Sequence, residues 1–208
     1  MSSLLEESHP ASPPCSLKTN SPQSPISSYQ LRQSICGLET ELMIQTFDDR
    51  ILVIITQNGK IGCLTQASLP IHTPLPPPPK PSTMNGHENP LHILEILPSP
   101  PSSLSLTPLL GSPPDQTLND LYVSQIATLV FWALETSGSG RRNVVVGMTL
   151  KQPSSRHQSR RSDGDGGSQD DDDDNGILDQ DERMRYAGVM DLVSQWPGPS
   201  PDSTEQIE

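Results

Sequence analysis

The chain has 208 residues and a formal net charge of −12, with 32% hydrophobic residues, 3% aromatic residues and 23 prolines. Such a composition does not bury enough apolar surface along the whole chain to offset the conformational entropy lost on folding. Ten of the 25 acidic residues lie between Asp163 and Glu182, and no basic face is evident, which argues against a nucleic-acid-binding protein. No apolar stretch is long enough to span a membrane, which argues against a membrane protein.

Apolar residues are concentrated in three islands, which cover residues 29–69, 103–150 and 177–196. Together the islands have the size of one small domain. We therefore predict a single α+β domain over residues 29–197, with disordered tails at 1–28 and 198–208. A Pro-rich loop at 70–102 and a basic-then-acidic linker at 152–176 interrupt this domain.

The first island is predicted to form strands. YQLRQSICG predicts a strand that ends at Gly37, and ETELMIQTF alternates, with Leu42, Ile44 and Thr46 on one face. RILVIITQ is apolar on both faces, as in a strand covered on two sides. Asn58-Gly59 follows and tolerates the positive φ angles of a type I′ turn, so KIGCLTQ is predicted to return as the second strand of a hairpin. We expect an antiparallel meander.

The other islands add two strands and two helices. SLSLTPLLG predicts an edge strand, where Pro108 is tolerated, and RRNVVVGMTLK predicts a strand that is apolar on both faces. DQTLNDLYVSQIATLVFWALETSGSG predicts a helix of about five turns, capped by Asp115 or Thr117 and followed by Gly138. ILDQDERMRYAGVMDLVSQW predicts a final helix that stops before Pro197. The fold class is α+β, a small antiparallel sheet of about six strands packed with two helices.

Helical periodicity predicts which side chains of the two helices are buried. In the first helix Phe131 and Trp132 fall outside the predicted stripe, which consists of Leu118, Leu121, Gln125, Ile126, Leu129, Val130 and Ala133. In the final helix the stripe consists of Tyr186, Val189, Met190, Val193 and Trp196. Inside the Pro-rich loop, PLHILEIL is an apolar patch. The sequence leaves two alternatives for this patch: it docks on the sheet, or it stays a solvated loop.

Catalytic and targeting signals are weak. Cys36 and Cys63 are predicted to be buried as small hydrophobic side chains, in a protein of a reducing compartment. Cys15 has no partner at metal-ligand spacing. All five histidines fall in predicted tail, loop or linker, where no scaffold fixes them for acid-base catalysis: His9, His72, His87, His92 and His157. We predict no enzymatic activity and no cofactor. The N-terminus lacks the pattern of a signal peptide, so we expect the cytoplasm, with the nucleus as a second location.

A calcium site is one alternative function. Asp171, Asp173, Asn175 and Glu182 stand at positions 1, 3, 5 and 12 of an EF-hand loop over 171–182, with the glycine of the sharp turn at position 6. The segment before the loop is a poor helix former, and a run of aspartates satisfies acidic patterns easily. A solvated acidic linker therefore explains the same residues.

A proline-rich signalling adaptor is the other alternative. PLPPPPKP is a plausible ligand for an SH3 or WW groove, because polyproline II is preformed. A proline-rich spacer has the same composition.

The strongest functional signal is a resemblance. TQNGKIG, preceded by ILVII, resembles the T-Q-x-G-K-x-G hairpin of the proteasome assembly chaperone 3 family. Cys36-Gly37 lies where that family has the same pair, and PLLG leading into SQIATLVFWAL is similar to its strand-into-helix junction. The strand RRNVVVGMTLK and a final helix ending in Trp occur in the same order. The match covers about half of the chain, which is longer by its N-terminal tail and its insertions at 70–102 and 152–176.

The resemblance implies a non-enzymatic chaperone for assembly of the 20S proteasome core particle. Such a protein would pair with a related subunit similar to proteasome assembly chaperone 4. The heterodimer would help proteasome α-type subunits to form their ring. The resemblance implies no individual contact residues, and it implies neither nucleic acid nor a membrane as a partner.

Overall fold

A computed structural model describes residues 26–57, 59–80, 91–151 and 179–199 of the chain. Its strands are β1 (Ser27–Ile35), β2 (Leu38–Thr46), β3 (Arg50–Thr56), β4 (Cys63–Ser68), β5 (Ser105–Leu110) and β6 (Asn143–Thr149). Its helices are α1 (His92–Ile96), α2 (Gln116–Thr136) and α3 (Gln180–Ser194). Apart from the short helix α1, the order of elements is the one predicted from the sequence.

The strands form one six-stranded sheet in the order β1-β2-β3-β6-β4-β5. Neighbouring strands are antiparallel except β3 and β6, which run parallel. The α+β prediction is confirmed, with this one parallel pair as the departure from an antiparallel sheet. Strand β5 lies at the edge of the sheet. Pro108 has no backbone N–H to donate to a neighbouring strand, and at an edge this loss costs little.

The predicted hairpin between β3 and β4 is wrong. Strand β6 lies between them, with Val53 opposite Val146 on one side and Thr65 opposite Val146 on the other. Both β3 and β6 carry apolar side chains on two faces. At the centre of the sheet such strands bury the most apolar surface. Residues 59–62 therefore lie in a connection across the end of β6, and the backbone N–H of Gln57 donates to the Thr149 carbonyl at 3.1 Å. Gly59 lies in this crossover connection and has φ +65°.

Helices α2 and α3 cover one face of the sheet and enclose the core. As predicted, Leu42 and Ile44 of β2 point into this core and are almost fully buried. The central strands contribute Ile51, Val53 and Ile55 from β3 and Val144 and Val146 from β6. Because side chains alternate along a strand, the intervening residues of β3 and β6 face the other side of the sheet.

Helix α2 begins and ends where the sequence predicts, but its buried side differs from the predicted stripe. Gln125, Ile126 and Val130 are buried, whereas the other predicted members are only partly buried: Leu118, Leu121, Leu129 and Ala133. The Asp115 side chain accepts a hydrogen bond from the Leu118 N–H at 2.9 Å, and Gly138 follows the helix with φ +70°. The prediction that Phe131 lies off the buried stripe is wrong, since Phe131 is fully buried. The reason is that α2 contacts α3 as well as the sheet, so more than one stripe is covered.

All five side chains predicted to be buried in the final helix are buried, and the last of them, Trp196, lies just after the end of α3: Tyr186, Val189, Met190, Val193 and Trp196. Tyr186 meets Tyr122 of α2 edge to face, with ring centroids 5.0 Å apart. Within the patch PLHILEIL, residues His92–Ile96 form α1, which packs against α3. Within the described part of the chain, no helix is both long enough and apolar enough to cross a membrane.

Candidate protein interface on the open face of the sheet

The face of the sheet opposite α2 and α3 is the open face. Its members follow from the strand registers, and the described helices pack on the other side. The apolar members are Met43, Leu52, Ile54, Leu64, Leu110 and Val145, and Gly147 lies among them. One face of an antiparallel sheet is often solvated, but such a face is then mainly polar. The centre of this open face is apolar instead.

Ile61, from the crossover connection, lies over the centre of the open face. A Cβ added at Gly147 would stand 3.2 Å from Ile61 Cγ2 and 2.7 Å from both Ile54 Cδ1 and Leu64 Cδ2. The missing side chain at Gly147 therefore makes the space in which these three side chains meet. Ile54 is 6% exposed beneath this contact, while Ile61 itself is 53% exposed. Ile61 is thus an apolar knob presented to solvent.

A shallow depression of about 220 Å³ lies beside this knob, and its wall includes Met43, Ile54 and Ile61. Its polar side is formed by Arg32 of β1, which pairs with Glu41 at 3.0 Å and lies 3.7 Å from Glu39. These ion pairs are largely exposed and contribute little to stability, since the median for surface pairs is about 0–1 kcal/mol.

The apolar surface continues to the edge strand β5. Leu110 pairs in register with Leu64 and is 62% exposed, and its neighbour Leu109 is 48% exposed. Isolated exposed hydrophobes are ordinary, but a contiguous apolar patch with a polar rim is typical of protein interaction sites. The open face has this composition, with an apolar centre and the charged pairs of β1 and β2 at one side.

The predicted calcium ligands are only partly covered by the structure. Asp171, Asp173 and Asn175 lie outside the described residues, so the calcium hypothesis stays a prediction. Glu182 lies in the first turn of α3 and is 2% exposed. Its Oε1 accepts a hydrogen bond from the Tyr122 hydroxyl at 2.8 Å, and its Oε2 pairs with Arg185 Nη2 at 3.1 Å. Both oxygens that position 12 of an EF-hand gives to calcium are therefore already engaged.

Tyr122 donates to Glu182 as a neutral phenol. Burial, together with the repulsion that the Glu182 carboxylate would exert on a phenolate, holds the pKa of Tyr122 far above its usual range. Arg185 completes the cluster by donating to the Lys151 carbonyl at 2.6 Å. Glu182 is the last residue of the segment that a solvated acidic linker would explain. Its carboxylate is instead buried and fully paired.

The cysteine and histidine predictions need two corrections. Cys63 is buried as predicted, and burial raises the pKa of its thiol. Cys36 is exposed, because it lies in the two-residue turn between β1 and β2 with φ +50°. His92 lies in helix α1 and not in a loop, since the apolar residues of its segment dock against α3.

Sequence reasoning missed the two residues that shape the open face. Ile61 was predicted to belong to a hairpin strand, and Gly147 was one residue of an apolar run. Their contact depends on β6 lying beside β4, which no local pattern indicates. A glycine in the middle of a strand does, however, often mark a position that another part of the chain approaches closely.

No protein-family model matches the chain, and no curated protein matches it. Among solved structures, the chain is similar to one described as a "Novel Chaperone Complex for Yeast 20S Proteasome Assembly", with 17% sequence identity. The similarity covers 81% of this chain and 96% of that chain, at a TM-score of 0.39. A TM-score below 0.5 does not establish a common fold, so the function proposed below rests on the residues of this chain.

Proposed function

We propose that this protein is a non-enzymatic chaperone for assembly of the 20S proteasome core particle, which acts in formation of the α-ring as a dimer with a related chaperone subunit. The observation that carries the proposal is the collinear resemblance described above, from Cys36-Gly37 through TQNGKIG to the final Trp196. The open face supplies a surface on which such a protein would work, because assembly chaperones act through transient protein contacts.

The open face suits a partner that is itself a β-sheet subunit. A flat apolar centre is best covered by another sheet face, and the knob of Ile61 beside a depression gives the contact a register. Strand β5 adds exposed Leu109 and Leu110 at the sheet edge. Because the apolar residues are at the centre and the ion pairs at the rim, truncation at the centre should weaken pairing most.

The test is affinity purification of the tagged full chain from its own cells, followed by mass spectrometry. We expect proteasome α-type subunits and one small partner, recovered equally with and without EDTA. Absence of α-type subunits would overturn the proposal. Partners that are lost on chelation would instead favour the calcium hypothesis, and partners lost on replacement of the prolines at 76–79 would favour the adaptor hypothesis.

A pair of matched variants tests the surface. Ile61→Glu places a charge at the centre of the open face, and Ile71→Glu makes the same change in the turn after β4, where Ile71 is 73% exposed. We expect at least a tenfold loss of the small partner with Ile61→Glu and unchanged recovery with Ile71→Glu. Circular dichroism confirms that both variants are folded. Equal recovery with both would exclude the open face as the pairing surface.

Deletion of residues 152–176 tests the linker prediction. Insertions in loops cost only slowly increasing closure entropy, so the deletion should leave folding and partner recovery intact. Loss of the partner on deletion would show that this segment takes part in pairing.

A further inference from the structure

A cavity of about 260 Å³ lies on the helix side of the sheet, away from the open face. It is enclosed by the first turns of α2 and α3 and by the adjoining ends of β4 and β6. The apolar part of its wall consists of Pro113, Pro114, Leu118, Met148 and Leu150. An engineered apolar cavity of about 150 Å³ holds benzene, so this space admits a substituted ring.

One buried polar atom in the cavity wall has no protein partner. Asn119 is 5% exposed, and its Oδ1 accepts a hydrogen bond from the Cys63 thiol at 3.4 Å, which orients the amide. Asn119 Nδ2 then makes no hydrogen bond within the described part of the chain. An unsatisfied buried group costs about 1–3 kcal/mol. An acceptor placed in the cavity would remove that cost.

The charges around the cavity favour an uncharged occupant. Glu182 and Arg185 form an ion pair in its wall, and Asp115 caps α2 nearby. The carboxylates of Asp115 and Glu182 would repel an anion. The guanidinium of Arg185 and the unpaired N–H of Asn119 would oppose a cation.

We propose that this cavity binds a small, uncharged, largely apolar molecule that carries a carbonyl-type acceptor. The apolar body contacts the proline, leucine and methionine side chains, and the carbonyl oxygen accepts the hydrogen bond from Asn119 Nδ2. This inference does not depend on the proposed role in proteasome assembly.

The test uses two probes of the same shape on the full chain labelled with ¹⁵N. Acetophenone carries the acceptor, and α-methylstyrene replaces the carbonyl oxygen with a methylene group. We expect both to shift the amide resonances of Asn119, Thr149 and Leu150 in ¹H–¹⁵N spectra. Acetophenone should bind about two- to tenfold more tightly, as one net hydrogen bond implies. Absence of shifts up to the solubility limit, shifts confined to other residues or equal affinities would overturn the proposal.

Two variants locate the donor. Asn119→Leu removes it with little change of volume and should abolish the preference for acetophenone, whereas Asn143→Leu makes the same change at an exposed position at the start of β6. Should Asn119→Leu fail to fold, Asn119→Ala removes the same donor and should also abolish the preference. A preference that survives in a folded Asn119 variant would show that this side chain does not contact the ligand.

Discussion

The buried ion pair between Glu182 and Arg185 gives the sharpest stability prediction. Their side chains are 3% and 8% exposed, and the two groups lie 3.1 Å apart. Glu182→Gln keeps an oxygen that can accept from the Tyr122 hydroxyl, but it leaves the Arg185 charge without a counter-charge. Removing one partner of a buried pair costs about 3–5 kcal/mol. Because the Tyr122 bond is retained and Arg185 still donates to the Lys151 carbonyl, we expect the lower end of this range.

Urea unfolding followed by circular dichroism measures the effect. With an m-value of about 2 kcal/mol/M, a loss of about 3 kcal/mol lowers the unfolding midpoint by about 1.5 M. The control is Glu41→Gln, which breaks the exposed pair with Arg32 and should cost under about 1 kcal/mol. The double variant Glu182→Gln/Arg185→Met removes both charges and should recover much of the loss.

The reasoning would be refuted if Glu182→Gln cost no more than Glu41→Gln. It would also fail if the double variant were less stable than the single variant, since no unpaired charge then remains. Either result would mean that Arg185 is solvated in the folded chain despite its burial in the structure.

Three further predictions concern other sites. Gly111→Ala should lower the free energy of unfolding by about 1–3 kcal/mol, because Gly111 has φ +70° and an added Cβ would stand 2.8 Å from a backbone oxygen. Arg141→Lys should cost about 2 kcal/mol and speed proteolysis within residues 70–80, since the Arg141 guanidinium donates to three carbonyls of that segment. Iodoacetamide should label Cys36 at least tenfold faster than Cys63, which is buried and has a raised thiol pKa.

Each of these has a control within the chain. Gly140→Ala has open space and no positive φ, so it should be neutral or slightly stabilising. Arg142→Lys removes a donor that reaches one carbonyl at 3.0 Å, so its cost should be smaller than that of Arg141→Lys. For the cysteines, labelling in denaturant should equalise the two rates. A larger effect of either control variant, or rates that stay unequal in denaturant, would contradict the corresponding explanation.

The elements themselves were predictable from the sequence because their signals are local. Alternation identified the core face of β2, and the Asp115 cap and Gly138 bounded α2. The apolar runs of β3 and β6 indicated strands that are apolar on both faces. These patterns depend on the geometry of one strand or one helix, so they can be recognised without knowledge of neighbours.

The candidate interface was less predictable, because it depends on which strands are neighbours. The sequence shows that Ile54 and Val145 are apolar positions in strands. It does not show that they share the open face with Ile61. Likewise, the acidic pattern around Glu182 suggested a solvated or calcium-binding carboxylate. Only the packing of α3 on α2 brings Tyr122 to Glu182, across 60 residues of chain.

The sequence by itself determined the positions of the strands and helices, the buried side of α3 and the α+β class, because each is encoded by the spacing of apolar residues. Only the tertiary structure decided that β6 enters between β3 and β4. A local Asn-Gly signal favours a hairpin, but pairing β6 on both sides buries two apolar strands at the centre of the sheet. That gain depends on paired residues separated by 77 to 93 positions, so no short window of sequence carries it.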